Sequence, residues 1–154
     1  MRLWLFAVVL WCACGAAPPS APEVFYSACD PVLLLPEDAS PEELASLDTA
    51  IGLWREVGLT AFSTTATDAG SQVPVRFKDA PAPFHGVYEA GVAFVNKKLA
   101  GSERDITVAH ELGHALGLPH ISKEERPSLM NPGNLTVPPS TADIDDLRRQ
   151  WGCP

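Results

Sequence analysis

Residues 110–120 place three histidines in a spacing that restricts how this part of the chain can fold. On an α-helix, residues four apart lie about 40° apart around the axis and one turn along it, so the rings of His110 and His114 can reach one point. Gly117 can take the left-handed conformation that ends a helix, and Pro119 cannot continue one. The chain is therefore expected to turn back, so that His120 approaches the same point from another direction.

These residue types in this spacing are typical of a catalytic metal site. Three neutral imidazoles that leave one position open suit zinc with a bound water, whose pKa falls to about 7. Glu111 follows the first ligand, where its carboxylate can reach that water rather than the metal. We predict one Zn²⁺ held by His110, His114 and His120, with Glu111 as the general base. A purely structural zinc site is the less favoured interpretation, because such sites normally take four protein ligands and favour cysteine.

The length and charge of the chain limit its class. A chain of 154 residues is the size of one domain with a single core. Its formal net charge of −8 argues against nucleic acid or an anionic membrane surface as a partner. No apolar run reaches the roughly 18 residues of a membrane-spanning helix. We expect a monomer.

The N-terminus has the composition of an export signal, with Met1-Arg2, an apolar run over 3–11 and small residues over 13–17. We divide the chain into a signal peptide at 1–14, a tether and N-terminal segment at 15–30, and a domain at 31–154. Cys14 after Ala13 resembles the lipidated cysteine of a bacterial lipoprotein. Lipidation at Cys14 and ordinary cleavage near Ala16 both stay open. Either outcome places the protein outside the cytoplasm, secreted or lipid-anchored at the cell envelope.

Beyond the signal, only Cys29 and Cys153 remain, near opposite ends of the mature chain. In an oxidising compartment two cysteines most simply form one disulfide, and we predict the pair Cys29–Cys153. The alternative is that the Cys29 thiolate caps the zinc in a latent form of the protein.

The hydrophobic pattern predicts an α+β fold with a small twisted mixed sheet. Helices are indicated by a serine followed by an acidic residue ahead of an apolar stripe, and strands by short apolar or alternating runs. The predicted elements are a strand at 32–35, a helix from Ser40-Pro41 to Gly58 with apolar residues Leu44, Leu47, Ile51 and Trp54, a weak strand at 59–63, a strand at 73–77, a strand or hairpin at 86–96 kinked at Gly91, the metal-binding helix opened by Ser102-Glu103-Arg104-Asp105, and a last helix from Ser140 to Gly152.

The HExxHxxGxxH pattern of residues 110–120, followed by Ser128-Leu129-Met130-Asn131-Pro132, resembles the metzincin zinc peptidases. The chain is most similar to minimal matrixin-type domains, the catalytic domains of matrix metalloproteinases. The resemblance implies a zincin-like fold and cleavage of peptide bonds in extended protein or peptide substrates. It also implies that Met130 is an apolar floor beneath the ligands. The strand at Gly91, Val92, Ala93 and Phe94 would be the cleft edge, to which a peptide adds as an antiparallel strand.

Some residues depart from the matrixin pattern. The loop ahead of the expected edge strand is too short for the structural zinc and most calcium ligands of matrix metalloproteinases, so we expect one zinc and no required calcium. His85 in that loop is expected to be a surface or hydrogen-bonded histidine. Ile121 and Asn131 stand where matrixins usually have serine and tyrosine, which leaves the side-chain preference open. No cysteine-switch propeptide is recognisable.

The predicted function is a zinc-dependent endopeptidase, in which Glu111 activates a zinc-bound water and returns the proton to the leaving amine. One alternative is a surface protein that holds zinc for stability and binds partners without turnover. Glu111 argues against it, because a structural site has no use for a carboxylate beside an open coordination position. Another alternative is a zinc hydrolase for a different substrate, such as a cell-wall peptide.

Overall fold

The computed structural model of the protein describes residues 23–65 and 70–153. These residues form an α+β fold with a five-stranded mixed sheet and three helices, in agreement with the predicted class. No helix within 23–65 or 70–153 is long and apolar enough to cross a membrane. The predicted signal peptide at 1–14, including Cys14, lies outside the described residues.

Five strands and three helices follow one another along the chain. They are β1 (Val32–Glu37), α1 (Pro41–Glu56), β2 (Phe62–Ser63), β3 (Ser71–Lys78), β4 (Gly86–Glu89), β5 (Val92–Asn96), α2 (Gly101–Ala115) and α3 (Thr141–Trp151). The strand order in the sheet is β2-β1-β3-β5-β4. All neighbours are parallel except β4 and β5, which form an antiparallel hairpin.

The predicted caps of the first and last helices are confirmed. At α1 the backbone N–H of Ser40 donates to the Glu43 carboxylate at 2.7 Å, and the Glu43 N–H donates to the Ser40 hydroxyl at 3.3 Å. At α3 the Ser140 N–H donates to the Asp143 carboxylate at 2.8 Å. These reciprocal bonds satisfy backbone donors that a helix N-terminus otherwise leaves unpaired.

The predicted cap of α2 by Ser102 is wrong. The helix already begins at Gly101, because Ala100 takes the extended cap conformation with φ −142° and ψ 158° and gives no side-chain hydrogen bond. Instead the Arg104 side chain reaches back from the first turn and donates to the Leu99 carbonyl at 2.8 Å. The start of α2 is thus held by a side chain inside the helix.

The hydrophobic core lies between the sheet and the packed helices α1 and α2. Helix α1 buries Leu47, Ala50, Ile51 and Trp54, whereas Leu44, which was predicted for the same stripe, is 40% exposed. The Trp54 indole N–H donates to the Ala109 carbonyl at 3.1 Å in this core. This bond ties α1 to α2 at the residue before the first predicted metal ligand.

The predicted disulfide between Cys29 and Cys153 is confirmed. Because both sulfur atoms are used in it, Cys29 cannot supply the thiolate of a latent zinc site. A disulfide favours an oxidising environment.

The predicted cleft edge at 91–94 is wrong. Strand β5 pairs with β3 on one side and with β4 on the other, so Ala93 and Phe94 lie inside the sheet, and Val92 pairs with Glu89 of β4. Ala90 and Gly91 both have positive φ, 51° and 81°, as a tight two-residue hairpin turn requires. This turn folds β4 onto the outer side of β5, which makes Gly86–Glu89 the edge.

Candidate metal centre

The end of α2 and the turn after it bring the three predicted ligands together. His110 and His114 lie one turn apart on the last part of the helix, which ends at Ala115. Gly117 has φ +86°, the left-handed conformation expected of it, and its N–H donates to the His114 carbonyl at 2.8 Å. The chain then reverses and presents His120 to the two helical rings.

The three imidazoles converge through their Nε2 atoms. The Nε2 of His120 lies 3.2 Å from that of His110 and 3.1 Å from that of His114. Zinc–nitrogen bonds of about 2.0–2.1 Å in tetrahedral geometry place two ligand nitrogens about 3.3–3.4 Å apart. The three histidines could therefore hold a metal ion.

Hydrogen bonds at the other ring nitrogen fix the tautomers of the two helical ligands. The Nδ1 of His110 lies 2.7 Å from the Leu129 carbonyl, and the Nδ1 of His114 lies 2.8 Å from the Leu118 carbonyl. Since a carbonyl only accepts, each Nδ1 carries the proton and each Nε2 presents a lone pair. Both lone pairs face the Nε2 of His120, the arrangement that three rings sharing one metal ion require.

The pKa values of these two histidines support the neutral, metal-binding form. Burial lowers the pKa of His110 to about 4, and the neighbouring His114 acts in the same direction. Burial also lowers the pKa of His114. Both rings therefore stay neutral near physiological pH, as metal ligation requires.

Glu111 is a buried carboxyl group beside the ligands. Its side chain is only 4% exposed, and its Oε2 has no hydrogen-bond partner among the described residues. Burial raises the pKa of Glu111 to about 8, whereas the backbone N–H of Tyr88 lowers it by favouring the charged form. An unpaired buried oxygen on a titratable group is unusual in a structural role and frequent at functional sites.

Gly86 is a site residue that the sequence reasoning missed. A β-carbon at this position would lie 2.5 Å from the Oε1 of Glu111, 2.9 Å from the Phe94 carbonyl oxygen and 2.9 Å from the Thr107 methyl carbon. A glycine at the first residue of a strand can mark such a close approach, which was the available signal. Gly86 therefore makes the space that the Glu111 carboxylate occupies.

The turn around Met130 packs against α2 at Gly113. Met130 is fully buried, and a β-carbon on Gly113 would lie 2.6 Å from its sulfur atom. Gly113 therefore allows close packing, and Met130 rests on the helix between His110 and His114. The Met130 carbonyl accepts the Ile121 N–H at 3.0 Å, which holds the chain just after the third ligand.

Asn131 holds the segment between the third ligand and this turn. Its side-chain amide donates to the Ile121 carbonyl at 2.9 Å and to the Arg126 carbonyl at 3.0 Å. Its side-chain oxygen accepts the Ser128 N–H at 2.9 Å. The side chain of Asn131 thus holds the segment that begins at Ile121, directly after His120.

A cavity of about 620 Å³ opens over the three histidines and Glu111. Strand β4 lines it through Gly86, Val87 and Tyr88, and none of the residues 91–94 does. His85, expected at the surface or in a hydrogen bond, also lines this cavity. The remaining walls include Glu23 and Phe25 of the N-terminal segment and residues 132–134.

The chain matches no protein-family model and no curated protein. The arrangement can bind a metal ion on three neutral nitrogens and place a buried carboxyl group beside it, under a cavity large enough for part of a peptide.

Proposed function

We propose that the protein is a zinc-dependent endopeptidase of the metzincin type, closest to a minimal matrixin-type domain. One Zn²⁺ is held by His110, His114 and His120, and Glu111 is the general base. The observation that carries the proposal is the convergence of three imidazole nitrogens, 3.1–3.2 Å apart where measured to His120, beside a buried carboxyl group with an unpaired oxygen.

The donor set favours zinc in a catalytic role. Neutral imidazoles suit zinc better than the hard cations calcium and magnesium, which prefer oxygen ligands. Three protein ligands leave one coordination position for water or substrate, whereas closed structural sites take four. When bound there, zinc would polarise a peptide carbonyl and make a water more acidic.

Glu111 is placed to move the proton. A cation bound by the neighbouring histidines would lower the pKa of this carboxyl group and so favour the carboxylate. Its Oε2, which has no hydrogen-bond partner within the described part of the chain, can then accept a proton from the attacking water and return it to the leaving amine.

The outer edge of β4 supports a peptide as the substrate. Among the described strands, β4 pairs only with β5, so its other side can accept an extended peptide as an added strand. The Tyr88 N–H, which acts on Glu111, is the exception among its outward backbone groups. The same residues, 86–88, line the cavity beside Glu111. A peptide held there would present its backbone to the reacting groups with little dependence on its side chains.

The disulfide and the composition of residues 1–17 support a location outside the cytoplasm. A Cys29–Cys153 disulfide is stable in an oxidising compartment. We propose a secreted or envelope-anchored monomer, with a lipid on Cys14 as the possible membrane attachment.

The test is cleavage profiling of the purified mature protein against casein, a random peptide library and isolated cell-wall peptides. New termini identified by mass spectrometry should appear in the protein and library samples, disappear with a zinc chelator and return with zinc. His120→Ala should lose the metal, whereas Glu111→Ala should keep about one zinc per chain and lose cleavage. Zinc binding without any cleavage would instead support the non-catalytic surface protein, and cleavage of wall peptides alone would change the substrate class.

A further inference from the structure

The last two carbonyls at the end of α2 are paired with the two ends of the described chain. A helix leaves its final four carbonyls without intrahelical partners. Those of Gly113 and His114 accept N–H groups from the turn that follows, at 3.0 and 2.8 Å. The carbonyl of Ala115 instead accepts the backbone N–H of Tyr26 at 2.8 Å, and that of Leu116 accepts the indole N–H of Trp151 at 2.8 Å.

The two donors are covalently connected. Cys29 lies shortly after Tyr26, Cys153 lies shortly after Trp151, and their sulfur atoms are joined. We call residues 26–29 and 151–153, with this disulfide, the terminal clasp. The clasp thus closes over the C-terminal end of the metal-binding helix, because each of its arms binds one of two successive carbonyls.

The clasped carbonyls are the base of the turn that carries the third ligand. Gly117 follows Leu116 at once, and the carbonyl of Leu118 is the group that fixes the tautomer of His114. The side chain of Gln150, next to the clasp, lies over Gly117 where a β-carbon would clash with it. A movement of the Leu116 carbonyl would therefore change the conformation of the turn that leads to His120.

We propose that the terminal clasp is a positioning device for the metal centre. Trp151 and the Cys29–Cys153 disulfide hold the turn from Leu116 to His120 in the conformation that binds metal. Without the clasp, the turn occupies this conformation for a smaller fraction of the time, and the apparent metal affinity falls by that fraction. The proposal rests on the metal site and requires no peptidase activity.

Two variants separate the parts of the clasp. Trp151→Phe keeps the disulfide and an aromatic ring and removes the indole N–H, the shorter of the two donors to the Leu116 carbonyl. The other donor, the side-chain amide of Gln150 at 3.5 Å, stays. The double variant Cys29→Ser with Cys153→Ser removes the covalent link. Leu34→Ala is the matched control. It removes a fully buried side chain of β1 and leaves a cavity, and its expected loss of stability is in the same range as that from removal of a disulfide.

The measurements are the zinc dissociation constant, by competition with a chromophoric chelator, and the visible absorption spectrum of the Co²⁺-loaded protein. Both are made at a temperature at which circular dichroism shows each variant to be folded. We expect zinc binding to weaken about tenfold or more in the double serine variant and severalfold in Trp151→Phe, in the range seen when groups that orient metal ligands are removed. The Co²⁺ spectrum of both should shift as His120 is released, and Leu34→Ala should match the wild type in both measurements.

The proposal is overturned if the clasp variants unfold at lower temperature but bind zinc with wild-type affinity and show the wild-type Co²⁺ spectrum. The clasp would then stabilise the fold as any disulfide does. If the double serine variant does not fold, Trp151→Phe alone decides between the two outcomes. Since no substrate is present, failure of the peptidase proposal would leave this result unaffected.

Discussion

The replacement of Gly86 by alanine tests whether the position of the Glu111 carboxylate matters for the reaction. Gly86 does not have the positive φ at which an L-residue is strained. The effect of the substitution is therefore steric. The added methyl group would meet the Oε1 of Glu111 at 2.5 Å and the backbone oxygen of Phe94 at 2.9 Å.

The two contacts differ in how far they can relax. The Phe94 oxygen belongs to a strand that is paired on both sides, so it cannot move without disturbing the sheet. The Glu111 carboxylate is the end of a side chain and is the group expected to give way. Such overpacking costs about 1–3 kcal/mol of folding free energy. Displacement of a general base removes a contribution of about 10²–10⁴ in rate.

We therefore expect Gly86→Ala to bind about one zinc per chain and to lose about 100-fold or more in kcat/KM for a peptide identified by cleavage profiling. Zinc content is measured by atomic emission and the free energy of unfolding by urea denaturation. Gly52→Ala is the matched control, because nothing lies within 4 Å of a β-carbon at that helical position. It should be active and about 0.5–1 kcal/mol more stable. Wild-type activity and stability in Gly86→Ala would refute the reasoning.

Three further predictions concern stability. In the metal-free protein the free energy of unfolding should fall by about 1 kcal/mol from pH 6.5 to pH 8. Folded Glu111 keeps its proton up to a pKa of about 8 whereas the unfolded chain loses it near 4.5, and His110 offsets part of this fall. Below pH 6.5 His110 opposes this trend: its pKa is about 4 in the folded protein, so only the unfolded chain takes up its proton. The free energy of unfolding is measured by urea denaturation, and in zinc-loaded protein it should not fall above pH 6.5. Asn131→Ala should cost about 3 kcal/mol in the same assay, because it removes three hydrogen bonds, and a loss below about 1 kcal/mol would contradict this role. Arg76→Gln should leave the unfolding midpoint and the zinc content unchanged, because its ion pair with Glu37 is exposed to solvent.

The parts of the fold that the sequence predicts correctly have local causes. The cap of α1 depends on Ser40 and Glu43, three residues apart, and the reversal of the chain after α2 depends on a single glycine, Gly117. The convergence of the three histidines follows from helix periodicity and that reversal. The disulfide was predictable for another reason, since only two cysteines remain beyond the signal segment.

The parts that the sequence did not predict depend on contacts between distant segments. Alternation predicts one strand or a hairpin at 86–96, but it does not decide between them or determine which strand of a hairpin lies next to β3. Gly86 is a site residue only because β4 lies against the face of α2 that carries Glu111. In the same way, the bond from Trp151 to Leu116 joins residues whose pairing leaves no local pattern in the sequence.

The most direct test of the central claim is a zinc titration of the metal-free protein in which peptide cleavage and bound zinc are measured in the same samples. In the wild type, cleavage should rise with added zinc and reach its maximum at one equivalent. Glu111→Gln, which keeps the shape of the side chain but cannot accept the proton, should bind the same one equivalent and remain without activity. Cleavage by Glu111→Gln at the wild-type rate, or by the wild type without metal, would contradict the account.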